Sequence, residues 1–261
     1  MNIKLENRNA LVCGSTQGIG RACALALAEE GANVTLLARD EDKLKKVLQE
    51  LPNTYQNHDY AVADFSDIDG LRATVKAKLA EKKIYHILIN NTGGPPAGPL
   101  FDAKISEFER TFTQHLKANH TLVQLLAPKM KEIDFGRIIN IISTSVKQPL
   151  NGLGVSNTIR GAVANWSKTL ANELGEFGIT VNNVLPGATA TKRLSEIIKA
   201  KAAKTGTTPE EISKKMKLSI PARRFAHPGE IANAVAFLAS EAASYINGVN
   251  LPIDGGRTKC P

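Results

Sequence analysis

Residues 9–20 have the sequence NALVCGSTQGIG, in which an apolar run leads into a cluster of three glycines. The apolar run predicts a buried β-strand, and the Ala-rich segment Gly18–Glu30 predicts an α-helix. Gly14 suits a tight turn, Gly18 permits close approach of a phosphate, and Gly20 permits close packing of the helix. A helix that begins at such a turn offers free N–H groups and a partial positive charge. The stretch therefore predicts a nucleotide-binding unit; the alternative is a tight turn without a ligand.

Apolar segments rich in Val, Ile and Leu alternate with segments of helical period along the rest of the chain. The alternation predicts an α/β fold: a single-domain, Rossmann-like, doubly wound parallel sheet of about seven strands, with helices on both faces. No linker interrupts it, so residues 1–261 are predicted to form one domain, with a basic helical insertion at about 189–224. The predicted strands are Asn9–Gly14, Asn33–Ala38, Tyr60–Ala63, Ile84–Asn90, Arg137–Ser143, Thr180–Val184 and Val249–Ile253.

The composition is that of an ordinary globular protein. Of the 261 residues, 43% are hydrophobic and 22% charged, which excludes a disordered or collagen-like chain. No apolar run approaches the roughly 18 residues that span a bilayer, and the N-terminus has no signal pattern. Three cysteines are too few for a disulfide framework or a structural zinc site. We expect a cytoplasmic protein without a metal site or a membrane partner.

The net charge of +8 is concentrated in one segment. Between Lys192 and Arg224, ten basic residues face three acidic ones, which gives a local charge of +7. Such a surface attracts an anionic partner, for example nucleic acid, a phosphorylated substrate or an acidic carrier protein. The alternative is a solvated helical face without a specific role. We do not expect nucleic acid as the partner, because the segment has almost no aromatic residues for base stacking, with only Phe225 at its edge, and no recognised motif.

Arg39 follows the second predicted strand, at the position where an acidic residue would bind a ribose 2′-hydroxyl. A guanidinium there favours a 2′-phosphate, which predicts NADP(H) rather than NAD(H). Asp40 beside it weakens this prediction, and an exposed loop arginine is the alternative.

Four motifs together resemble the short-chain dehydrogenase/reductase family over essentially the whole chain. They are the glycine turn, Asn90–Gly93 after the fourth strand, Pro186-Gly187 with Thr191, and Asp254–Gly256. The resemblance is greatest to β-ketoacyl-acyl-carrier-protein (3-oxoacyl-ACP) reductases. It implies an NADP(H)-dependent oxidoreductase of fatty acid metabolism that forms a homo-tetramer or homo-dimer. It also implies that the cofactor contacts Gly14, Ser15, Gln17, Gly18, Ile19, Gly20, Arg39, Asp64, Phe65, Asn91, Gly93, Arg160, Pro186, Gly187 and Thr191.

The catalytic positions depart from the family pattern of Asn, Ser, Tyr and Lys, whose last two residues form Tyr-x-x-x-Lys on one helix. Ser143 matches the family serine, but Ser156 stands at the Tyr position, Arg160 at the Lys position and His115 at the Asn position. The chain thus resembles an atypical subgroup that lacks the Tyr-x-x-x-Lys motif.

These differences affect proton delivery. Serine is a far weaker acid than tyrosine, and arginine does not release a proton at physiological pH. Two other residues are candidates for the missing acid: Lys147, four residues after Ser143, and His115, which we expect to titrate near neutrality. The alternatives are an exposed loop lysine and a packed core histidine.

Two functions remain open. The first is NADP(H)-dependent reduction of a carbonyl compound, such as a 3-oxoacyl thioester, presented as a small molecule or on a carrier protein. The second is a catalytically degenerate NADP(H)-binding protein that acts as a sensor or as an inactive subunit.

Overall fold

The computed structural model describes residues 2–81 and 84–259, and within them seven parallel strands form one sheet. The strands are β1 Asn9–Cys13, β2 Asn33–Ala38, β3 Asp59–Val62, β4 Ile87–Asn90, β5 Gly136–Ile141, β6 Ile179–Pro186 and β7 Asn250–Ile253. Their spatial order is β3-β2-β1-β4-β5-β6-β7. The winding reverses between β1 and β4, so a crevice opens at the carboxyl ends of these two strands. The predicted doubly wound α/β fold is confirmed.

Helices cover both faces of the sheet. They are α1 Gly18–Glu29, α2 Glu41–Glu50, α3 Ile68–Ala80, α4 Ile105–Phe112, α5 Ala118–Glu132, α6 Gly154–Leu174, α7 Lys192–Thr205, α8 Pro209–Leu218 and α9 Pro228–Ala239. Side chains of α1, α2 and α9 pack with one face of the sheet. Side chains of α3, α5 and α6 pack with the other face. Both faces are apolar because alternate residues of each central strand point to opposite cores.

The observed boundaries differ from the predicted ones by up to three residues in the strands. A larger difference concerns the helical stretch that the sequence predicts from about Ser106 to Lys131. The structure divides it into α4, a π-helical turn at Thr113–Lys117 and α5. A π-helical turn accommodates one extra residue, which a regular helical period does not reveal. The basic segment contains α7 and α8, between β6 and α9.

A row of asparagines crosses four strands of the sheet. Asn90, Asn140, Asn183 and Asn250 are neighbours in the strand register from β4 to β7. Each side-chain Nδ2 donates to the Oδ1 of the next asparagine, over distances of 2.8, 3.0 and 2.8 Å. Nδ2 of Asn140 also lies 3.2 Å from the hydroxyl of Ser167 on α6. This amide ladder satisfies most of these buried amide groups, which would otherwise be costly to bury; Oδ1 of Asn90 has no partner within the described residues.

None of the helices within the described ranges has the length and apolar character needed to cross a membrane.

Candidate active site

The glycine turn between β1 and α1 is shaped for a ligand that approaches the backbone closely. Gly14 and Gly18 both adopt left-handed φ angles, of +58° and +56°. A Cβ at Gly20 would lie only 2.2 Å from the backbone oxygen of Gly14. Because Gly20 has no side chain, its backbone can pack closely against Gly14. The first N–H groups of α1 then lie at the crevice, where they suit a pyrophosphate. The arrangement fits a dinucleotide cofactor.

Gln17, Ile19 and Ser15 are the other residues of the turn for which the family resemblance implies cofactor contact. Gln17 is the N-cap residue of α1 but makes no side-chain capping hydrogen bond, and Ile19 lies in the first helical turn. Ser15 is fully buried, and its Oγ has no hydrogen-bond partner within the described part of the chain. Its hydroxyl therefore remains able to bond a group that enters the turn.

Arg39 follows β2 directly, and its side chain is 77% exposed. Its nearest acidic group is Asp64, with Nη1 and Oδ2 4.0 Å apart. Asp40 is engaged elsewhere: its carboxylate accepts from the backbone N–H of Lys43 at the start of α2 and pairs with the Lys43 ammonium. Both carboxylate oxygens of Asp40 are thus occupied at the start of α2, which leaves the Arg39 guanidinium as the exposed charged group after β2.

Asp64 and Phe65 follow β3. The Asp64 carboxylate accepts from the backbone N–H of Ser66 at 2.9 Å and from its hydroxyl at 2.7 Å. These hydrogen bonds hold the pKa of Asp64 below its ordinary value, so it is a stable acceptor at neutral pH. Phe65 is partly buried against the core on the α3 side, which gives it a packing role as well.

Two further loops close on the glycine turn. Asn91, after β4, donates from Nδ2 to the backbone oxygens of Cys13 and Gly14, at 3.2 and 3.3 Å. Thr191, the N-cap residue of α7, lies over Gly18: a Cβ added to Gly18 would lie 3.2 Å from the methyl carbon of Thr191. Asn91 and Thr191, two of the residues for which the family resemblance implies cofactor contact, thus lie against the turn.

Pro186 and Gly187 lie at the carboxyl end of β6. Pro186 ends the strand, and the Gly187 N–H donates to the Ile253 oxygen of β7 at 2.9 Å. A Cβ at Gly187 would lie 2.7 Å from Cα of Asp254, so the close contact of the two loops requires glycine there.

Ser143 lies just beyond β5, at the same edge of the sheet. Its Oγ accepts a hydrogen bond of 3.1 Å from the backbone N–H of Ser145, at the start of the 3₁₀ turn Thr144–Val146. The hydroxyl proton is consequently directed away from that N–H and can be donated to a substrate. Lys147 ends this turn and is half-buried.

Ser156 and Arg160 lie one turn apart on α6, so they share a face of the helix. Ser156 is half-buried. Arg160 is only 8% exposed, and its Nη1 donates to the backbone oxygen of Ile141 at 2.8 Å. Burial lowers the pKa of Arg160 to about 10, which still leaves the guanidinium charged at neutral pH.

His115 occupies the π-helical turn and is 3% exposed. Its Nδ1 lies 2.7 Å from the hydroxyl of Thr92. Burial and the charge of Arg160 hold the pKa of His115 well below its ordinary value, although a hydrogen bond with the Gly93 backbone opposes this. The expectation that His115 titrates near neutrality is therefore wrong, because the imidazolium form is disfavoured in this environment. The structure thus places His115 beside Thr92, Gly93 and Arg160.

The sequence patterns did not predict one contact between the loops that follow β4 and β6. Nη2 of Arg193, in the first turn of α7, donates to the backbone oxygen of Pro95 at 2.8 Å. Pro95 belongs to the loop after β4 and Arg193 to the segment after β6, so the contact joins the loops that follow the two strands beside β5. The two residues are 98 positions apart, a distance that local patterns do not bridge.

Comparisons with known proteins agree with this geometry. Residues 14–258 match the family model described as Enoyl-(Acyl carrier protein) reductase. The chain is 31% identical to the NADPH-dependent reductase BacG of Bacillus subtilis, over 98% of this chain and 99% of that protein. It is 32% identical to 3-oxoacyl-[acyl-carrier-protein] reductase FabG of Staphylococcus epidermidis, over 96% of this chain and 98% of that protein.

Among solved structures, L-sorbose reductase from Gluconobacter frateurii, in complex with NADPH and L-sorbose, superimposes with a TM-score of 0.93. It is 29% identical, and the match covers all of both chains. The fold and the glycine turn agree with these matches, which extend over nearly the whole chain. The chain therefore belongs to the short-chain dehydrogenase/reductase family.

Proposed function

We propose that this chain is an NADP(H)-dependent reductase of a carbonyl compound, and that its substrate is a 3-oxoacyl thioester or a related ketone. The observation that carries the proposal is the position of Ser143: it follows β5, so it lies at the same carboxyl edge of the parallel sheet as the glycine turn that follows β1. A hydroxyl donor and a dinucleotide cradle thus lie at one edge of the sheet. The names of BacG and FabG support a reductase, and FabG supports a thioester substrate.

The residues present suit NADP(H) better than NAD(H). The glycine turn and the N-terminus of α1 would hold the pyrophosphate, while the exposed guanidinium of Arg39 would pair with the 2′-phosphate. By the family resemblance, Pro186, Gly187 and Thr191 would contact the nicotinamide amide. Asp64 would accept from the adenine. When bound, the cofactor supplies the hydride.

The side chains of the crevice act on the carbonyl group. Ser143 donates its hydroxyl proton in a hydrogen bond to the carbonyl oxygen and stabilises the negative charge that develops there. Arg160 keeps its charge and its bond to Ile141, so it strengthens the positive potential at this point without moving a proton. The crevice thereby favours the alkoxide that forms during reduction.

Proton delivery falls to Lys147 or to a water molecule. Ser156 and Arg160 stand where the family has Tyr and Lys, and neither is an effective acid. His115 is neutral at pH 7 because of burial, which makes it a fixed hydrogen-bond partner of Thr92 rather than an acid. Lys147 lies on the loop that begins at Ser143, and its ammonium group has N–H donors that can reach towards a developing alkoxide.

The test is NADPH consumption by the purified chain with a panel of 3-oxoacyl thioesters, each supplied as a coenzyme A and as a carrier-protein conjugate. We expect turnover, and we expect Ser143→Ala to lower kcat by about 10²–10³. Ser244→Ala, which removes an exposed hydroxyl elsewhere, is the control. Unchanged turnover in Ser143→Ala contradicts the role given to Ser143.

A second candidate function is a cofactor-binding protein without catalysis. Its basis is the buried, anchored Arg160 with Ser156 one turn away, which offers no relay for protons. If the parent chain binds NADPH but turns over none of the thioesters, the double substitution Ser156→Tyr with Arg160→Lys separates the two cases. Activity gained by this variant would indicate an intact substrate pocket that lacks only its acid.

A further inference from the structure

A groove of about 620 Å³ lies between α7 and α8, in the basic segment. It is lined by Ile198 and Lys199 of α7, by Lys214, Lys217 and Leu218 of α8, and by Arg223. This volume lies within the range of small-molecule sites.

The cations of the groove outnumber the acidic groups four to one, since Glu210 is the only carboxylate among the lining residues. Within residues 2–81 and 84–259, no ion pair involves Lys199, Lys214, Lys217 or Arg223. Arg224, next in the chain, is by contrast paired with both carboxylate oxygens of Glu230 at 2.6 Å. Like charges around one concave surface repel each other, and a bound anion relieves that repulsion.

The backbone at Arg223 is strained. Its φ is +57°, a left-handed conformation that residues other than Gly and Asn rarely adopt. The conformation is held by hydrogen bonds from the Arg223 N–H to the Ile220 oxygen and from the Ala222 N–H to the Gly255 oxygen, at 2.9 and 3.1 Å. Such strain persists only where the surrounding structure enforces it, and here it presents a guanidinium to the groove.

The lining also offers apolar surface. Ile198 and Leu218 face the groove from the two helices, and Leu218 is 56% exposed. An exposed leucine among cations suits a ligand that combines a flat apolar ring with phosphate groups, rather than a free inorganic anion. A phosphorylated nucleotide has this combination.

The groove is connected to the crevice through α7. This helix begins at Thr191, which covers Gly18, and its first turn holds Arg193 against Pro95. The lining of the groove begins at Ser195, within the next turn. A ligand anchored by its nucleotide in the groove can therefore extend along α7 towards the start of this helix, where Thr191 meets the glycine turn.

We propose that the groove between α7 and α8 binds the phosphorylated nucleotide of a coenzyme A thioester. This inference rests on the proposed function, which supplies the thioester. It selects coenzyme A over a carrier protein as the group that presents the acyl chain.

The first test measures binding without turnover. 3′,5′-ADP, the nucleotide portion of coenzyme A, is titrated by calorimetry into the chain saturated with NADP⁺, so that the cofactor site is closed to it. We expect binding that weakens at least tenfold in Lys199→Glu with Lys214→Glu. The control is Lys76→Glu, an exposed lysine of α3. Equal binding by parent and double variant, or no binding by the parent, overturns the proposal.

The second test uses two acetoacetyl thioesters, one of coenzyme A and one of N-acetylcysteamine, which has no nucleotide. The double variant is expected to raise KM for the coenzyme A thioester at least tenfold, with kcat and the KM of the short thioester unchanged. Loss of 3′,5′-ADP binding without turnover of any thioester supports the groove and contradicts the proposed function. Sensitivity confined to carrier-protein conjugates overturns the groove as a nucleotide site.

Discussion

Nη1 of Arg160 donates a hydrogen bond of 2.8 Å to the backbone oxygen of Ile141, the last residue of β5. The bond joins α6 to the strand end two residues before Ser143. It also gives a buried guanidinium a fixed partner, so that the charge lies beside the crevice and not in solvent.

Replacing Arg160 with methionine keeps most of the side-chain volume but leaves the Ile141 oxygen without this donor. We expect a loss of about 1–3 kcal/mol in the free energy of unfolding. Arg160→Lys should lose less, because an ammonium can still donate. Urea denaturation followed by circular dichroism measures both. Equal midpoints for Arg160→Met and the parent would show that the bond does not contribute to stability.

Gly20→Ala is expected to weaken NADPH binding about 10–100-fold, since the new Cβ meets the Gly14 oxygen at 2.2 Å and displaces the turn. Gly161→Ala is a matched control: it lies on α6, and its Cβ meets nothing within 4 Å. There we expect unchanged NADPH binding and a gain of up to about 1 kcal/mol in stability, because alanine favours a helix. Fluorescence titration of NADPH compares the three proteins.

Arg39→Ala tests the preference for the 2′-phosphate. Loss of a charged hydrogen-bond donor to a phosphate costs about 1.5–3 kcal/mol, which corresponds to about 10–100-fold in the Kd of NADPH. The Kd of NADH is expected to stay constant, and it serves as the internal control. A parallel loss for both cofactors would instead indicate a general disturbance of the loop after β2.

The fold and the cofactor cradle were largely predictable, because they depend on local patterns. The apolar run before Gly14 and the glycines after it specify a strand, a turn and a helix within a short stretch of chain. The same holds for Thr191, which the family motif places at the crevice. These features arise from neighbours in sequence, where periodicity and turn chemistry are informative.

The catalytic surroundings were less predictable. The pKa of His115 depends on burial and on Arg160, and the π-helical turn that carries the histidine departs from the regular period. The contact of Arg193 with Pro95 likewise exists only after the sheet has assembled. Burial and contacts between distant segments are products of tertiary structure, so a sequence pattern alone does not specify them.

The amide ladder predicts an order of stabilities. Asn183→Leu removes two amide bonds; Nδ2 of Asn140 keeps only the Ser167 hydroxyl, and Oδ1 of Asn250 loses its amide donor. Asn250→Leu removes only the last bond, at a half-buried position. We expect Asn183→Leu to lose about 2–4 kcal/mol and Asn250→Leu about half as much. The urea midpoints of the two variants measure this difference. A larger loss in Asn250→Leu than in Asn183→Leu would contradict the importance of the Asn183 amide.

His86 predicts a dependence of stability on pH. Its Nδ1 accepts from the backbone N–H of Asn9 at 3.0 Å, which requires the neutral ring. Burial, with a smaller effect of Arg8, lowers the pKa of His86 to about 4. The unfolded chain therefore takes up the proton first. The stability contribution is complete above the ordinary pKa of about 6.5 and is lost as the pH falls towards 4.

His86→Gln should reduce this slope, because glutamine does not titrate, whereas Asn151→Gln, which exchanges one exposed amide for another, should leave it unchanged. Urea midpoints between pH 7 and pH 4 provide the comparison. Identical slopes in the parent and His86→Gln would assign the acid sensitivity to other groups.

The amide ladder also affects how the sheet assembles. In a parallel sheet, a slip of one residue between β5 and β6 would turn Asn183 to the opposite face and bury it among apolar side chains. Apolar strands alone tolerate such slips, since one valine or isoleucine replaces another at little cost. The amide ladder therefore favours the native strand register. A misaligned pairing would bury amides without partners, so it is rejected during folding before the crevice is formed.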